Sequence, residues 1–343
     1  MKAMVLRAPG TPFVLEERPD PVPGPGEAVA RVLACGAGLT IHHVRAGRAK
    51  VDYPRVIGHE ITGEIVAVGP GADGLAVGDP VTIWFYLTCG RCRWCLGGRE
   101  SLCENFAGFI GRAVDGAYAE YVKLPARNFL KLPDGLDWKG HPAEVGVVCD
   151  AIATPYKVVR RARIAPTDTV AVFGAGGGLG IHMIMLAKWA HARVIAVDRA
   201  AEKLPACRRV GADEVVDAAR NDVAEALVEL TGGRGVDVAI DFVSSAETLE
   251  AAVAALGIGG RLVTLGGAGQ VFRASAAAML AKELELLGSR YATRQEVLDS
   301  LALVARGDVW PLVTETRRLE DAEAMHDRLE RSLPIGRAAL LVA

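Results

Sequence analysis

Thr169-Val170-Ala171-Val172-Phe173-Gly174-Ala175-Gly176-Gly177-Gly178-Leu179-Gly180 is the stretch that decides the fold. Its first five residues form an almost unbroken apolar run, as a strand buried on both faces requires. Glycines follow at once, and beyond them Ile181, Met185 and Lys188 mark a helix pattern. Strand, glycine-rich turn and helix in this order suit a dinucleotide pyrophosphate. The glycines let the backbone turn tightly and approach the phosphates, and the helix N-terminus presents roughly half a positive charge. Asp198 closes the next strand, Arg193-Val194-Ile195-Ala196-Val197, 24 residues after Gly174. A carboxylate there binds both ribose hydroxyls and repels a 2′-phosphate, which favours NAD over NADP; Arg199, immediately after it, weakens that preference.

Two further strand-like runs, Val236-Asp237-Val238-Ala239-Ile240 and Gly260-Arg261-Leu262-Val263-Thr264-Leu265, continue the alternation of strand and helix. That rhythm predicts an α/β region with a doubly wound parallel sheet, a Rossmann dinucleotide-binding domain over 154–291. Residues before about 150 read differently. They are rich in Gly and Pro, with short alternating runs such as Ala28–Leu33 and Glu64–Val68, and Pro21–Gly26 cannot hold a helix. A mainly β domain is expected over 1–153, completed by the mixed pattern of 292–343. Two domains suit a chain of 343 residues, more than one hydrophobic core usually supports.

Hydrophobic residues make up 51% and charged residues 23%, a globular balance, and the net charge of -2 gives no electrostatic case for nucleic acid or an anionic membrane. The short cluster Arg160-Arg161-Ala162-Arg163 reads as a solvated helix end. The opening residues reach Arg7 and Pro9 before any long apolar run, unlike a signal peptide, and no stretch is long and apolar enough to span a bilayer. Seven cysteines, four of them within fifteen residues, suggest metal chemistry in a cytoplasmic enzyme rather than a disulfide framework.

Those four are Cys89, Cys92, Cys95 and Cys103, spaced C-x2-C-x2-C-x7-C. Four thiolates in so short a loop can converge on one tetrahedral ion, and zinc has no geometric objection; an iron–sulfur cluster is the other occupant such spacing allows. Cys35, Cys149 and Cys207 read as buried small hydrophobes.

Several motifs resemble the zinc-containing alcohol dehydrogenases of the medium-chain dehydrogenase/reductase superfamily, of the yeast and bacterial type. The glycine loop is similar to their G-x-x-G-G-L-G variant, and the cysteine loop with Gly97-Gly98 to their structural zinc lobe, so the resemblance implies one structural zinc per subunit. Gly58-His59-Glu60-Ile61-Thr62-Gly63-Glu64 resembles the G-H-E element, Asp150–Tyr156 the D-A-x-x-T-P-Y element, and Ile335-Gly336-Arg337 the C-terminal I-x-G-R element. The resemblance implies a GroES-like catalytic domain before the Rossmann domain. It also implies that Gly174, Gly176, Gly177, Gly178, Leu179, Asp198 and Arg199 hold the cofactor, with Lys203 at the adenosine ribose. Thr154, Leu265 and Gly266 would meet the nicotinamide end, and Arg337 the pyrophosphate. Relatives assemble as homodimers or homotetramers, and the same is expected here.

One element departs from the family. Cys35-Gly36-Ala37-Gly38-Leu39-Thr40-Ile41-His42-His43 aligns with C-G-x-C-x-T-D-x-H, so Gly38 stands where relatives place a zinc-binding cysteine, and Ile41 where they place an aspartate. His59 and Asp150 match the other two ligands of the catalytic zinc. The sequence therefore implies a site with catalytic zinc absent or weak, unless Glu60 or His42 fills the gap. Thr40 and His43 match the family's proton-relay hydroxyl and imidazole. His141, His182, His191 and His326 belong to no pattern. Three activities fit: an NAD(H)-dependent oxidoreductase acting on an alcohol/carbonyl pair, a zinc-independent reductase of an activated C=C bond such as an enone, and a catalytically inactive nucleotide-binding sensor.

Overall fold

Thr169–Phe173 is buried along its whole length and lies inside a six-stranded sheet. The spatial order is Glu214–Asp217, Arg193–Asp198, Thr169–Phe173, Val236–Asp241, Leu256–Thr264 and Glu285–Gly288, and every pairing is parallel. The chain winds from the central strand to one edge, returns, and winds to the other. Such a reversal opens a crevice at the carboxyl ends of the central strands, where the glycine turn stands. The helix after it, Gly180–Trp189, buries Ile181, Met183, Ile184 and Leu186, so its apolar sequence is consumed by packing rather than displayed. Phe173, Ile195, Val197, Leu227 and Leu262 form the core beneath the sheet, each contributing about 1.5–3 kcal/mol by leaving water.

This computed structural model describes residues 1–267 and 269–342. They divide into two compact units, Met1–Ala153 with Ala292–Ala343, and Thr154–Tyr291. The parallel sheet is the second unit. The first is mainly β, as its Gly- and Pro-rich sequence implies. Its central strand, Glu27–Ala37, pairs antiparallel with Ile61–Val68, Tyr121–Pro125 and Arg337–Leu341. Three partners for one strand explain why it alternates so weakly: eight of its eleven residues are apolar or glycine positions buried from solvent. A smaller sheet sets Lys2–Leu6 between Val14–Glu17 and Arg55–Val56.

The last strand carries a consequence for the site. Ala338 lies opposite Ala37 and Ala339 opposite Gly36, so one step further the register sets Arg337 against Gly38. Asp150 is held differently, in a π-helical turn, Val148–Ile152, that follows the helix Pro142–Val147. Turns of this kind are frequent at functional sites. No helix among the described residues is long and apolar enough to cross a membrane.

Candidate functional site

The glycine turn folds as a phosphate cradle needs. Gly174 has φ +70, a left-handed conformation that side chains resist. A Cβ on Gly180 would lie 2.2 Å from the Gly174 carbonyl oxygen, so the first helical turn can close onto the strand only without one. Asp198 is tied to the turn: its Oδ2 accepts from the Gly176 amide at 2.8 Å and its Oδ1 from the Ala200 amide at 2.9 Å. Lys203 is buried beside them, and burial lowers its pKa against the pull of Asp198 and Glu202. Gly177, Gly178 and Leu179 are half-buried along the same turn, and Arg199 is exposed. Thr154 is buried near the start of the helix Ala153–Ala162, and Leu265-Gly266 leaves the strand Leu256–Thr264.

Asp241, which sequence reasoning passed over, organises the neighbouring loop. It is fully buried at the end of a central strand. Its Oδ1 accepts from the amides of Val243 and Ser244, both at 2.8 Å, and its Oδ2 from the Thr248 hydroxyl at 2.6 Å. Ser244 in turn meets Thr264 at 2.7 Å. The only signal in the sequence was a lone acidic residue closing an apolar run.

In the first unit the four cysteine sulfurs cluster. Sγ separations are 4.0 Å for Cys89–Cys95, 3.5 Å for Cys92–Cys95, 4.0 Å for Cys92–Cys103 and 3.6 Å for Cys103–Cys89. Four thiolates around zinc at about 2.3 Å would be about 3.8 Å apart, so the donor set fits a tetrahedral ion. The amides of Arg91 and Cys92 point at Cys89 Sγ, at 3.5 and 3.4 Å. The Arg91 amide leads in pulling the Cys89 thiol down to about 6, whereas burial pushes Cys95 up to about 12. Four such thiols ionise together only around a cation.

A second cluster joins His59, Glu60 and Asp150, whose ligand atoms lie within 4.8 Å of one another, all buried. The His59 ring stacks on Phe85 at 4.1 Å and 21°, and its Nδ1 is buried without a hydrogen-bond partner. Burial lowers the imidazole to about 4 and pushes the Glu60 carboxyl up, against the opposing pull of the Arg337 guanidinium. Arg337 lies among them. Its guanidinium donates through Nη2 to Glu60 and to Asp150, the latter at 2.6 Å, and through Nε to Glu60 at 3.2 Å. Burial by itself lowers the Arg337 pKa, but the two carboxylates outweigh it and the group stays charged.

The side-chain space that Gly38 leaves open is taken by the same group: a Cβ there would lie 2.7 Å from Arg337 Nη1 and 2.9 Å from Cζ. Tested against a catalytic zinc, then, the donors are one imidazole and two carboxylates already bonded to a guanidinium. A dication added beside that cation would have to displace it, and the residues as placed do not fit a firmly held zinc.

His42 does not join this set. It is buried in the helix Leu39–Arg45, where its Nδ1 faces His326 Nδ1 at 3.2 Å and its Nε2 meets Glu330, with Arg48 at 3.0 Å. His326 Nε2 lies 3.0 Å from the Tyr118 hydroxyl. The pattern missed in the sequence is a chain of polar contacts that runs from buried Tyr118 through His326 and His42 out to Glu330. It pins the helix bearing Thr40 and His43 to the helix Ala322–Glu330. His326 is therefore a structural partner of His42, contrary to the expectation that it belongs to no pattern. Thr40 and His43 themselves stay on the exposed side; the protein around His43, and then Arg48, lower its pKa.

The comparisons with known proteins agree with this architecture. Residues 24–134 match the family described as alcohol dehydrogenase GroES-like domain, and residues 178–306 the family described as zinc-binding dehydrogenase. The NAD-dependent alcohol dehydrogenase of Sulfurisphaera tokodaii is 34% identical over 352 residues, covering 99% of this chain and all of the relative. An acryloyl-coenzyme A reductase of the same organism is 30% identical over 342 residues, covering 98% of each. The crystal structure of the alcohol dehydrogenase from Aeropyrum pernix superposes with a TM-score of 0.91 at 34% identity, over 99% of this chain and all of that one. With likeness running through both units and the order of domains preserved, this chain belongs to the zinc-containing alcohol dehydrogenase family of the medium-chain dehydrogenase/reductases, as an oxidoreductase of the NAD-dependent alcohol dehydrogenase kind.

Proposed function

We propose that the protein transfers hydride between NAD(H) and a small alcohol/carbonyl pair without a firmly held zinc on the substrate oxygen. The observation that carries this reading is Gly38, which offers no ligand and whose side-chain space holds Arg337. The nicotinamide supplies or accepts the hydride. The chain's own work is to hold that cofactor and to move a proton. Asp198 accepts ribose hydroxyls and disfavours a 2′-phosphate, Lys203 supports the same ribose, and Gly174 to Leu179 offer amides to the pyrophosphate. Thr154, Leu265 and Gly266 bound the nicotinamide end.

With the cofactor bound, the hydroxyl proton of an alcohol under oxidation would pass through Thr40 to His43. In the opposite direction Thr40 donates to the oxygen that gains charge. A lowered pKa keeps His43 neutral near pH 7, able to take that proton as a base. We place one zinc in each subunit at Cys89, Cys92, Cys95 and Cys103, where it orders the lobe and takes no part in hydride transfer. We also read the enzyme as a homodimer or homotetramer working in the cytoplasm.

A second reading has its own support. The acryloyl-coenzyme A reductase relatives are 30% identical over nearly the whole chain. Reduction of an activated C=C bond places hydride on the carbon conjugate to a carbonyl, and no metal need polarise the oxygen. A panel of alcohols, aldehydes and α,β-unsaturated carbonyl compounds, followed by NADH absorbance, separates the two. Thr40→Val is expected to lower kcat for the alcohol/carbonyl reaction by about 10²–10⁴-fold, the worth of a general acid or base, with NADH affinity unchanged. Undiminished turnover in that variant sinks the relay.

A further inference from the structure

The buried cluster of His59, Glu60, Asp150 and Arg337 has more chemistry than a relict. Two carboxylates and an imidazole nitrogen converge within 4.8 Å, which is a metal-binding constellation. One buried guanidinium satisfies both carboxylates, while His59 Nδ1 is left without a partner. The guanidinium reaches this position because residue 38 has no side chain, and because the strand register sets Arg337 against it. Gly36 clears room on the other side: a Cβ there would lie 2.1 Å from Glu60 Oε2. The backbone at Gly38, φ −131 and ψ 172, is ordinary extended chain that any residue adopts. Glycine at 38 is therefore needed for space alone.

We propose that Arg337 is the resident cation of this cluster and keeps closed a latent divalent-metal site formed by His59, Glu60 and Asp150, with Gly38 as the opening that admits its guanidinium. The inference rests on the metal-free reading of the site given above. It gives that reading a mechanism: positive charge at the cluster is supplied by a side chain, so a divalent ion must first displace an arginine bonded to two of its would-be ligands. Partners that only orient metal ligands are worth about 10–100-fold in metal affinity, and a cation bonded to two of the ligands opposes binding at least that strongly. Restoring a thiol by Gly38→Cys would meet Arg337 head-on, so it is expected to rebuild a zinc site only when Arg337 is removed as well.

The test is a Co²⁺ titration of the purified protein with its four-cysteine site filled with zinc, read by visible d–d absorption. Wild type and Arg337→Lys, which both keep the cation, are expected to show no tight binding. Arg337→Met is expected to bind one Co²⁺ at least about tenfold more tightly than wild type, and the added His59→Ala to abolish it. Gly38→Ala supplies the independent arm should Arg337→Met fail to fold. Its new Cβ displaces the guanidinium, so Co²⁺ affinity should rise and the melting temperature fall, whereas in the Arg337→Met background the same change should leave both where they were. Equal Co²⁺ affinity in wild type, Arg337→Met and Gly38→Ala would overturn the inference while leaving the metal-free reading intact. Tight binding of Co²⁺ at this cluster in wild type would overturn both.

Discussion

Cys103→Ser is expected to empty the four-sulfur lobe of zinc and to produce the largest loss of stability of any single change away from the core, beyond about 4–5 kcal/mol. The reason lies in how little else holds the lobe. Its only α-helix, Arg93–Leu96, is four residues long and buries none of them, well below the length at which a helix sustains itself. Leu96 is 75% exposed. The Arg93–Glu104 ion pair is exposed and such pairs contribute about 0–1 kcal/mol. Arg99 covers the Trp94 ring at 4.8 Å, a contact worth about 0.5–1 kcal/mol at an open site. Apparent zinc binding in small thiolate peptides is about 10–16 kcal/mol, so the ion dominates the local balance. Zinc content by elemental analysis and the melting temperature measure the effect, with Cys207→Ser as a control that touches no ligand. Retained zinc in Cys103→Ser would mean that the four sulfurs do not share one ion.

Asp241→Ala is the second large effect, and it acts in the dinucleotide unit. The substitution removes a fully buried acceptor from the Val243 and Ser244 amides and the Thr248 hydroxyl. The hydroxyl can turn elsewhere, but each orphaned amide costs about 1–3 kcal/mol, so the total is about 2 kcal/mol or more. Asp241→Asn should cost far less, about 1 kcal/mol. Its carbonyl still accepts from the two amides, and the Thr248 hydroxyl can turn to the Ser245 carbonyl, 3.3 Å away. Because Ser244 also meets Thr264 just before Leu265-Gly266, the Ala variant should bind NADH more weakly as well as melt earlier. Chemical denaturation and NADH fluorescence titration read the two effects. Equal stability of the Ala and Asn variants would show that the three hydrogen bonds do not carry the loop.

What the sequence disclosed follows from how far apart the interacting residues are. The glycine turn was legible because strand, turn and helix are contiguous and each has its own period, and Asp198 lies one strand further on. The four cysteines were legible because their spacing alone brings them together. Gly38 could be recognised as an anomaly, but its occupant could not. Arg337 reaches it only through the pairing of Arg337–Leu341 with Glu27–Ala37, and nothing local announces that register. The His42–His326 contact spans 284 positions and was invisible for the same reason. Asp241 was missed on other grounds: an aspartate closing a strand is common, and only burial with three donors aimed at it marks it as structural.

The central question is where positive charge comes from at His59, Glu60 and Asp150. Zinc per subunit, measured by elemental mass spectrometry on protein dialysed against trace zinc, tests it most directly. Close to one zinc is expected, all of it lost in Cys103→Ser. Two zinc ions per subunit in the native protein, one surviving in Cys103→Ser and lost only on His59→Ala, would contradict it.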